Sequence, residues 1–145
     1  MKNLFLHLMM IGFFFLGNIK EVGSEVRKNS AAWLIIFSES SSINQNDIKG
    51  IDEIQKFSST QCDMAPGSVV ITIEAGYWKN TTDDLIKSAD LRSAAVRNIL
   101  ISKGLPSSTT YAAATSWESI NSRMKKWDMS PTINGVLVQV ACDPK

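Results

Sequence analysis

The stretch "IEAGYWKNTTDDLIKSADLRSAAVRNILISKG", residues 73–104, decides the fold. It starts as an apolar strand, turns at Gly76 and continues into a helix that ends at Gly104, shortly before Pro106. Apolar residues recur along this helix at helical spacing, so we expect one of its faces to contact a core. That stripe consists of Leu85, Ala89, Val96 and Leu100, with Ile86 and Ile99 beside it.

The turn before the helix carries the first functional signal. Thr81 is predicted to cap the helix, with Asp84 at capping-box spacing. Binding residues are often found on loops that a rigid scaffold positions. The candidate ligand- or partner-binding residues are Tyr77, Trp78 and Lys79 in the turn and Arg92 on the helix.

The rest of the chain alternates between strands and helices in the order β-α-β-α-β-α-β. Beyond the helix that follows Thr81, the predicted elements are strands at 31–37, 68–75, 109–117 and about 135–142, and helices at 46–57 and 118–128. The 46–57 helix is opened by Asp47 and carries a stripe of Ile48, Ile51, Ile54 and Phe57. In the last strand, Val136, Val138, Val140 and Cys142 share one face. This order predicts an α+β or α/β sandwich, with a mixed four-stranded sheet covered by helices.

The N-terminus resembles an export signal. Lys2 precedes an apolar run from Leu4 to Leu16, and a helix of that length spans about 20 Å, short of the roughly 30 Å hydrocarbon core. We therefore predict a signal peptide over residues 1–24, with cleavage between 17 and 24, and a single exported domain at 25–145. The alternative is an uncleaved anchor. Because no cysteine lies near the end of the apolar run, we do not expect a lipoprotein, and the mature chain should have no transmembrane span.

Charge and histidine content narrow the functional classes. The formal charge is +1 for 15 basic and 14 acidic residues, which gives no electrostatic case for nucleic-acid binding. His7 is the one histidine and lies in the predicted signal, so the mature chain lacks the usual base of Ser or Cys hydrolases and the commonest zinc ligand. We therefore predict that the protein is not an enzyme and binds no metal or cofactor. The alternative is a glycosidase whose catalytic residues are all carboxylates.

Cys62 and Cys142 are the two cysteines of the chain. In an exported protein they meet an oxidising compartment, so a disulfide is expected. Closing a loop of that length would stabilise the fold by about 4 kcal/mol in the chain-entropy model. The alternative is two free thiols, one of them reactive.

Three segments resemble the C-terminal OmpA-like domain, a peptidoglycan-binding module of Gram-negative envelopes. "LRSAAVRNILISKGLPSSTTYAAATSWES" is similar to the family's Arg-Ala helix and the Lys-Gly-Ile/Leu-Pro turn after it, and "PGSVVITIEAGY" to the strand entering its Gly-His/Tyr-Thr-Asp motif. "LIIFSESSSINQNDIKGIDEI" has the outline of the family's first strand and helix. The resemblance covers about residues 33 to 142.

The departures from the family pattern bear on function. The resemblance implies that an aspartate and an arginine bind diaminopimelate of the peptidoglycan stem; the arginine falls on Arg92, but the aspartate falls on Lys79. Like charges at about 4 Å repel by roughly 1 kcal/mol in water and about 4 kcal/mol where solvent is partly excluded. Upstream of Arg92, this chain has Ser88-Ala89 where the family has Leu-Ser. Before the last strand, the family usually has Asn-Arg-Arg-Val, and this chain has Ile133-Asn134-Gly135-Val136. Asp83 could substitute for the lost acid, and Arg92 could be either a solvated helix residue or a retained anion site.

The aromatic turn suggests a protein partner instead. Tyr77 and Trp78 are of the type that anchors interfaces, although Trp78 could equally pack under the turn. The segment from Arg123 to Trp127 could be a solvated helix face or a site for anionic head groups, and Trp33 and Trp117 are expected in the core or at a strand edge. We therefore predict a periplasmic accessory protein of a pilus or secretion assembly that binds envelope proteins. The alternative is a peptidoglycan-binding module.

Overall fold

In the computed structural model, residues 29–37, 45–129 and 135–145 are described. The four strands are β1 (Asn29–Ile36), β2 (Val69–Tyr77), β3 (Thr110–Ser116) and β4 (Gly135–Cys142), and the three helices are α1 (Gln45–Gln61), α2 (Asp83–Ser102) and α3 (Trp117–Met124). Short 3₁₀ turns at Ser107–Thr109 and Lys125–Trp127 complete the described elements. The predicted signal at 1–24 and the departures at Ile133 and Asn134 lie outside the described residues.

The strands form one mixed sheet in the order β1-β4-β2-β3. β4 is antiparallel to both β1 and β2, whereas β2 and β3 are parallel. The parallel pair needs a crossover connection, and α2 supplies it. The predicted mixed four-stranded sheet with helices is therefore confirmed.

One face of the sheet packs against α1 and α2 and forms the larger core. The alternation of strand side chains places Val69, Ile71, Ile73 and Ala75 of β2 on this face. The predicted one-sided set of Val136, Val138, Val140 and Cys142 on β4 is buried in the same cluster. The helices contribute Ile51 and Ile54 from α1 and Ala89, Val96 and Leu100 from α2.

The other face is covered in part by α3. Trp117, Ile120 and Met124 are buried there against Leu137, a β4 residue of opposite side-chain direction to Val136. Ser116 caps α3, since its Oγ accepts a hydrogen bond from the Ser119 N–H. Trp117 is thus a core residue, and Trp33, on the edge strand β1, contacts Phe57 with ring centroids 5.4 Å apart.

The predicted disulfide is present. Cys62 and Cys142 are bonded, with their Cα atoms 5.5 Å apart, and both are fully buried. The bond joins the residue after α1 to the end of β4 at the centre of the sheet. It lies at the opposite end of β2 from Gly76, because Val69 pairs with Cys142.

Two helix boundaries differ from the prediction. α1 begins at Gln45, two residues before Asp47, and continues to Gln61 rather than Phe57; the Ser58 hydroxyl donates to the Ile54 carbonyl, which satisfies this buried polar group within the helix. The Ile48 side chain, expected on the apolar stripe, is exposed. α3 ends at Met124, and the chain passes through a 3₁₀ turn to Asp128 in the left-handed region, with φ 53°.

The start of α2 also corrects the sequence prediction. The N-cap is Thr82 rather than Thr81, and its side chain makes no capping hydrogen bond. Leu85, expected in the core stripe, is 57% exposed, whereas Ser93 lies on the buried face between Ala89 and Val96. The first turn of α2 therefore projects beyond the core.

Two side chains of α2 bond to the outer edge of β3. Ala114 N–H donates to the Asp90 carboxylate at 2.8 Å, and Arg97 Nε donates to the Thr110 carbonyl at 2.8 Å. These bonds satisfy backbone groups that an edge strand would otherwise leave open. In the described part of the chain, no helix is long and apolar enough to span a bilayer.

Candidate ligand-binding cleft

A small cleft opens where β2 ends and α2 and α3 begin. It has a volume of about 90 Å³, well below the roughly 300–1,000 Å³ of drug-sized sites. This volume admits a small polar group and part of one side chain, but not a whole cofactor. Its lining residues are Gly76, Tyr77, Trp78, Thr81, Leu85, Arg92 and Trp117.

Gly76 allows the cleft to form because it lets Trp117 approach the backbone of β2. A Cβ atom on Gly76 would lie 2.3 Å from Cε2 of the Trp117 ring, so no larger residue fits without movement. Trp117 in turn supports Trp78, whose ring centroid is 6.3 Å away at an interplanar angle of 46°. The turn is closed by a hydrogen bond of 3.2 Å from Thr81 N–H to the Trp78 carbonyl, with Asn80 in the left-handed region at φ 70°.

Arg92 brings the positive charge of the cleft. Its NH1 donates to the Ser88 hydroxyl at 3.1 Å, and its NH2 makes a long 3.5 Å contact with the Gly76 carbonyl. Its Nε is buried and has no hydrogen-bond partner in the described segments. Burial lowers the Arg92 pKa from its ordinary value, because desolvation disfavours the charged form. The side chain is therefore half-buried in the cleft rather than solvated on the helix surface.

The other candidate residues are divided between the cleft and its surroundings. Tyr77 is half-buried against the larger core, whereas Trp78 is 54% exposed and so does not pack under the turn. Lys79 is exposed in the turn and does not line the cleft. Asp83 and Asp84 are exposed in the first turn of α2 and do not line it either.

The lining of the cleft thus combines one guanidinium with aromatic and aliphatic walls. None of its seven lining residues is an acid. Sequence reasoning brought Tyr77, Trp78 and Arg92 together, but it missed Thr81, Leu85 and Trp117. Leu85 could have been recognised from the helical wheel, since it lies seven residues before Arg92, two turns along the same face.

The basic residues of the segment from Arg123 to Trp127 lie in different surroundings. Arg123 turns toward the sheet, where its NH2 lies 2.5 Å from the Glu74 carboxylate, and it contacts the Ser119 hydroxyl through NH1. Lys125 and Lys126 are exposed. The sequence signal for this ion pair was Glu74 itself, a charge within an otherwise apolar strand.

No metal-ligand cluster is present in the described segments, 29–37, 45–129 and 135–145. Among the lining residues, the side chains that carry hydrogen-bond donors are those of Arg92, Thr81, Tyr77 and the two tryptophans. Arginine pairs with carboxylates in a planar, bidentate geometry. The arrangement is thus suited to bind an anion next to an apolar group.

The architecture is similar to that of several solved structures. No protein-family model and no curated protein matches the sequence at a significant level. The OmpA-like domain of FopA1 from Francisella tularensis matches with a TM-score of 0.55 at 16% identity, over 80% of this chain and 75% of that chain. The periplasmic domain of Helicobacter pylori MotB matches with a TM-score of 0.54 at 17% identity, over 80% and 76%. A putative MotB-like protein from Desulfovibrio vulgaris gives 0.53 at 9% identity, over 79% and 74%.

These matches define the fold class. The chain has the fold of OmpA-like domains, in a divergent form, as the sequence resemblance implied.

Proposed function

We propose that the chain is a non-enzymatic periplasmic adaptor that uses its OmpA-like scaffold to bind a protein of a pilus or secretion assembly. Residues 1–24 would export it, and the single domain at 25–145 would act in the periplasm. Peptidoglycan binding is lost in this proposal. The absence of histidine outside the predicted signal supports a binding function rather than catalysis.

The composition of the cleft carries the proposal. A dibasic amino acid such as diaminopimelate brings ammonium groups as well as carboxylates, and an ammonium needs an acid or several oxygen acceptors. The lining offers Arg92 as a cation and no carboxylate, and Lys79 adds a second positive charge in the adjacent turn. The exposed Trp78 and Leu85 instead provide the apolar contact area that is typical of protein interfaces.

Sedimentation with isolated sacculi tests the loss of peptidoglycan binding. The purified exported protein should stay in the supernatant at moderate salt. The matched control is the Lys79→Asp variant, which restores the acid that the family resemblance implies. Sedimentation of the unmodified protein, abolished by Arg92→Ala, would contradict the proposal.

A second function, anchoring to peptidoglycan, is favoured by one observation. Arg92 is half-buried in the cleft, and some of its N–H groups have no hydrogen-bond partner among the described residues, as an anion site would require. In that case Asp83 or Asp84 would have to move toward the cleft to receive the ammonium. The same sedimentation experiment decides it, since Asp83→Asn should then release the protein from sacculi.

A further inference from the structure

We infer that the cleft binds the free C-terminal carboxylate of a partner protein whose last residue has an apolar side chain. This inference rests on the proposed function, that the cleft contacts a protein. It goes further by naming the part of the partner that enters.

The first argument is the state of the Arg92 guanidinium. Arg92 has five N–H donors, of which NH1 bonds to Ser88, NH2 makes only a 3.5 Å contact with Gly76, and Nε is buried without a partner. In the described part of the chain, no carboxylate forms an ion pair with it. Because NH1 and NH2 keep N–H groups without partners among the described residues, a ligand carboxylate can accept hydrogen bonds from them.

The second argument is the size of the cleft and its apolar walls. About 90 Å³ admits a carboxylate and part of one apolar side chain. At a chain terminus both groups are attached to the same Cα atom. In an extended internal segment, neighbouring side chains point in opposite directions, so an acidic residue and its apolar neighbour could not both enter. A terminal residue fits the cleft better than an internal acid.

The third argument is charge. Lys79 stands in the turn next to Trp78, and neither Asp83 nor Asp84 lines the cleft. Lys79 does not line it either, so Arg92 is the one charged residue among the lining residues, and its positive charge attracts a carboxylate and repels an ammonium. A terminal carboxylate carries one negative charge and no ammonium, and it matches this distribution.

Labelled hexapeptides test the inference directly on the purified exported protein. One library has randomised internal positions and ends in Leu, Val, Phe or Ala as free acids; a second is identical except that its C-termini are amidated. Binding is measured by fluorescence anisotropy. We expect the free acids to bind and amidation to weaken binding at least tenfold, with added salt weakening it as well.

Variants assign the effect to the cleft. Arg92→Gln should abolish the preference for the free acid, whereas Lys125→Gln, which removes an exposed cation on the 3₁₀ turn after α3, should leave it unchanged. Equal binding of free-acid and amidated peptides, no binding of either, or an unchanged preference in Arg92→Gln would each overturn the inference. So would tighter binding of amidated peptides with an internal glutamate.

A crosslinking experiment separates failure of this inference from failure of the proposed function. A photoreactive residue at position 78 of the exported protein is activated in cells. Capture of a protein with its C-terminus blocked or distant from the crosslink would overturn the inference and leave the adaptor function standing. Sedimentation with sacculi, in contrast, would remove the adaptor function itself.

Discussion

Arg92 and Arg123 both reach the same end of the sheet from a helix, but their guanidinium groups have different partners. Arg123 is paired with the Glu74 carboxylate, which also accepts a hydrogen bond of 3.2 Å from the Thr115 hydroxyl. Arg92 has a serine hydroxyl at 3.1 Å and a carbonyl at 3.5 Å. Among the described residues, an acid contacts Arg123 but not Arg92.

This difference indicates that Arg123 stabilises the fold, whereas Arg92 is available to a ligand. The ion pair of Glu74 and Arg123 is closed within one face of the sheet, with side chains 18% and 32% exposed. Arg92 instead borders an open cleft with exposed Trp78 and Leu85 beside it. We expect substitutions at the first pair to change stability and substitutions at Arg92 to change binding.

The largest effect on stability is expected at Gly76. This residue lies on β2 at the cleft, two residues after Glu74 of the ion pair. Gly76→Ala places a Cβ atom where Trp117 now lies, and overpacking of this kind destabilises by about 1–3 kcal/mol. The cleft should also lose its shape, because Trp117 supports Trp78. Urea unfolding of the oxidised protein measures the loss.

A double-mutant cycle serves as the control for Gly76→Ala. Trp117→Leu should destabilise alone, since it empties part of a buried cluster. Combined with Gly76→Ala it should be less harmful than the sum of the two changes, because the clash is then gone. Strict additivity would show that the ring and the glycine are not coupled.

The second effect is expected at the closed ion pair. Glu74→Gln keeps the shape of the side chain but leaves Arg123 without its counter-charge. Loss of one partner of a buried pair destabilises by about 3–5 kcal/mol, and the partial exposure of this pair reduces the expectation to about 1–2 kcal/mol. Thermal unfolding should show the loss, and peptide binding at the cleft should be unchanged.

The double variant Glu74→Leu/Arg123→Met tests whether the loss comes from an uncompensated charge. Removing both charges should recover much of the stability that Glu74→Gln loses. A double variant no more stable than Glu74→Gln would indicate that packing, not charge, dominates at this pair.

Much of the fold was predictable from the sequence because its signals are local. The strand alternation of Val136, Val138, Val140 and Cys142 and the stripe of Ala89, Val96 and Leu100 each follow from one period in one segment. The disulfide followed from the count of two cysteines and the predicted export. Helix ends were less predictable, because Thr81 and Thr82 are equally good caps by residue type.

The cleft was only half predictable because its walls come from separate segments. The turn at Tyr77 and Trp78 and the helical Arg92 adjoin in sequence, so their proximity could be inferred. Trp117 joins them through the parallel pairing of β2 with β3, in which Tyr77 is opposite Ser116. The same pairing brings Arg123 to Glu74, a contact across 49 residues that no local pattern encodes.

The smallest effect on stability, and the largest contrast with Glu74→Gln, is expected for Arg92→Met. Methionine keeps the apolar stem, and the lost contacts are one hydroxyl bond and one long carbonyl contact. Since the change also removes a desolvated cation that has no acid partner, the free energy of unfolding should change by less than about 1 kcal/mol. Peptide binding should nevertheless fall at least tenfold. A variant destabilised as much as Glu74→Gln would mean that Arg92 is a structural residue, and the contrast between the two arginines would then be lost.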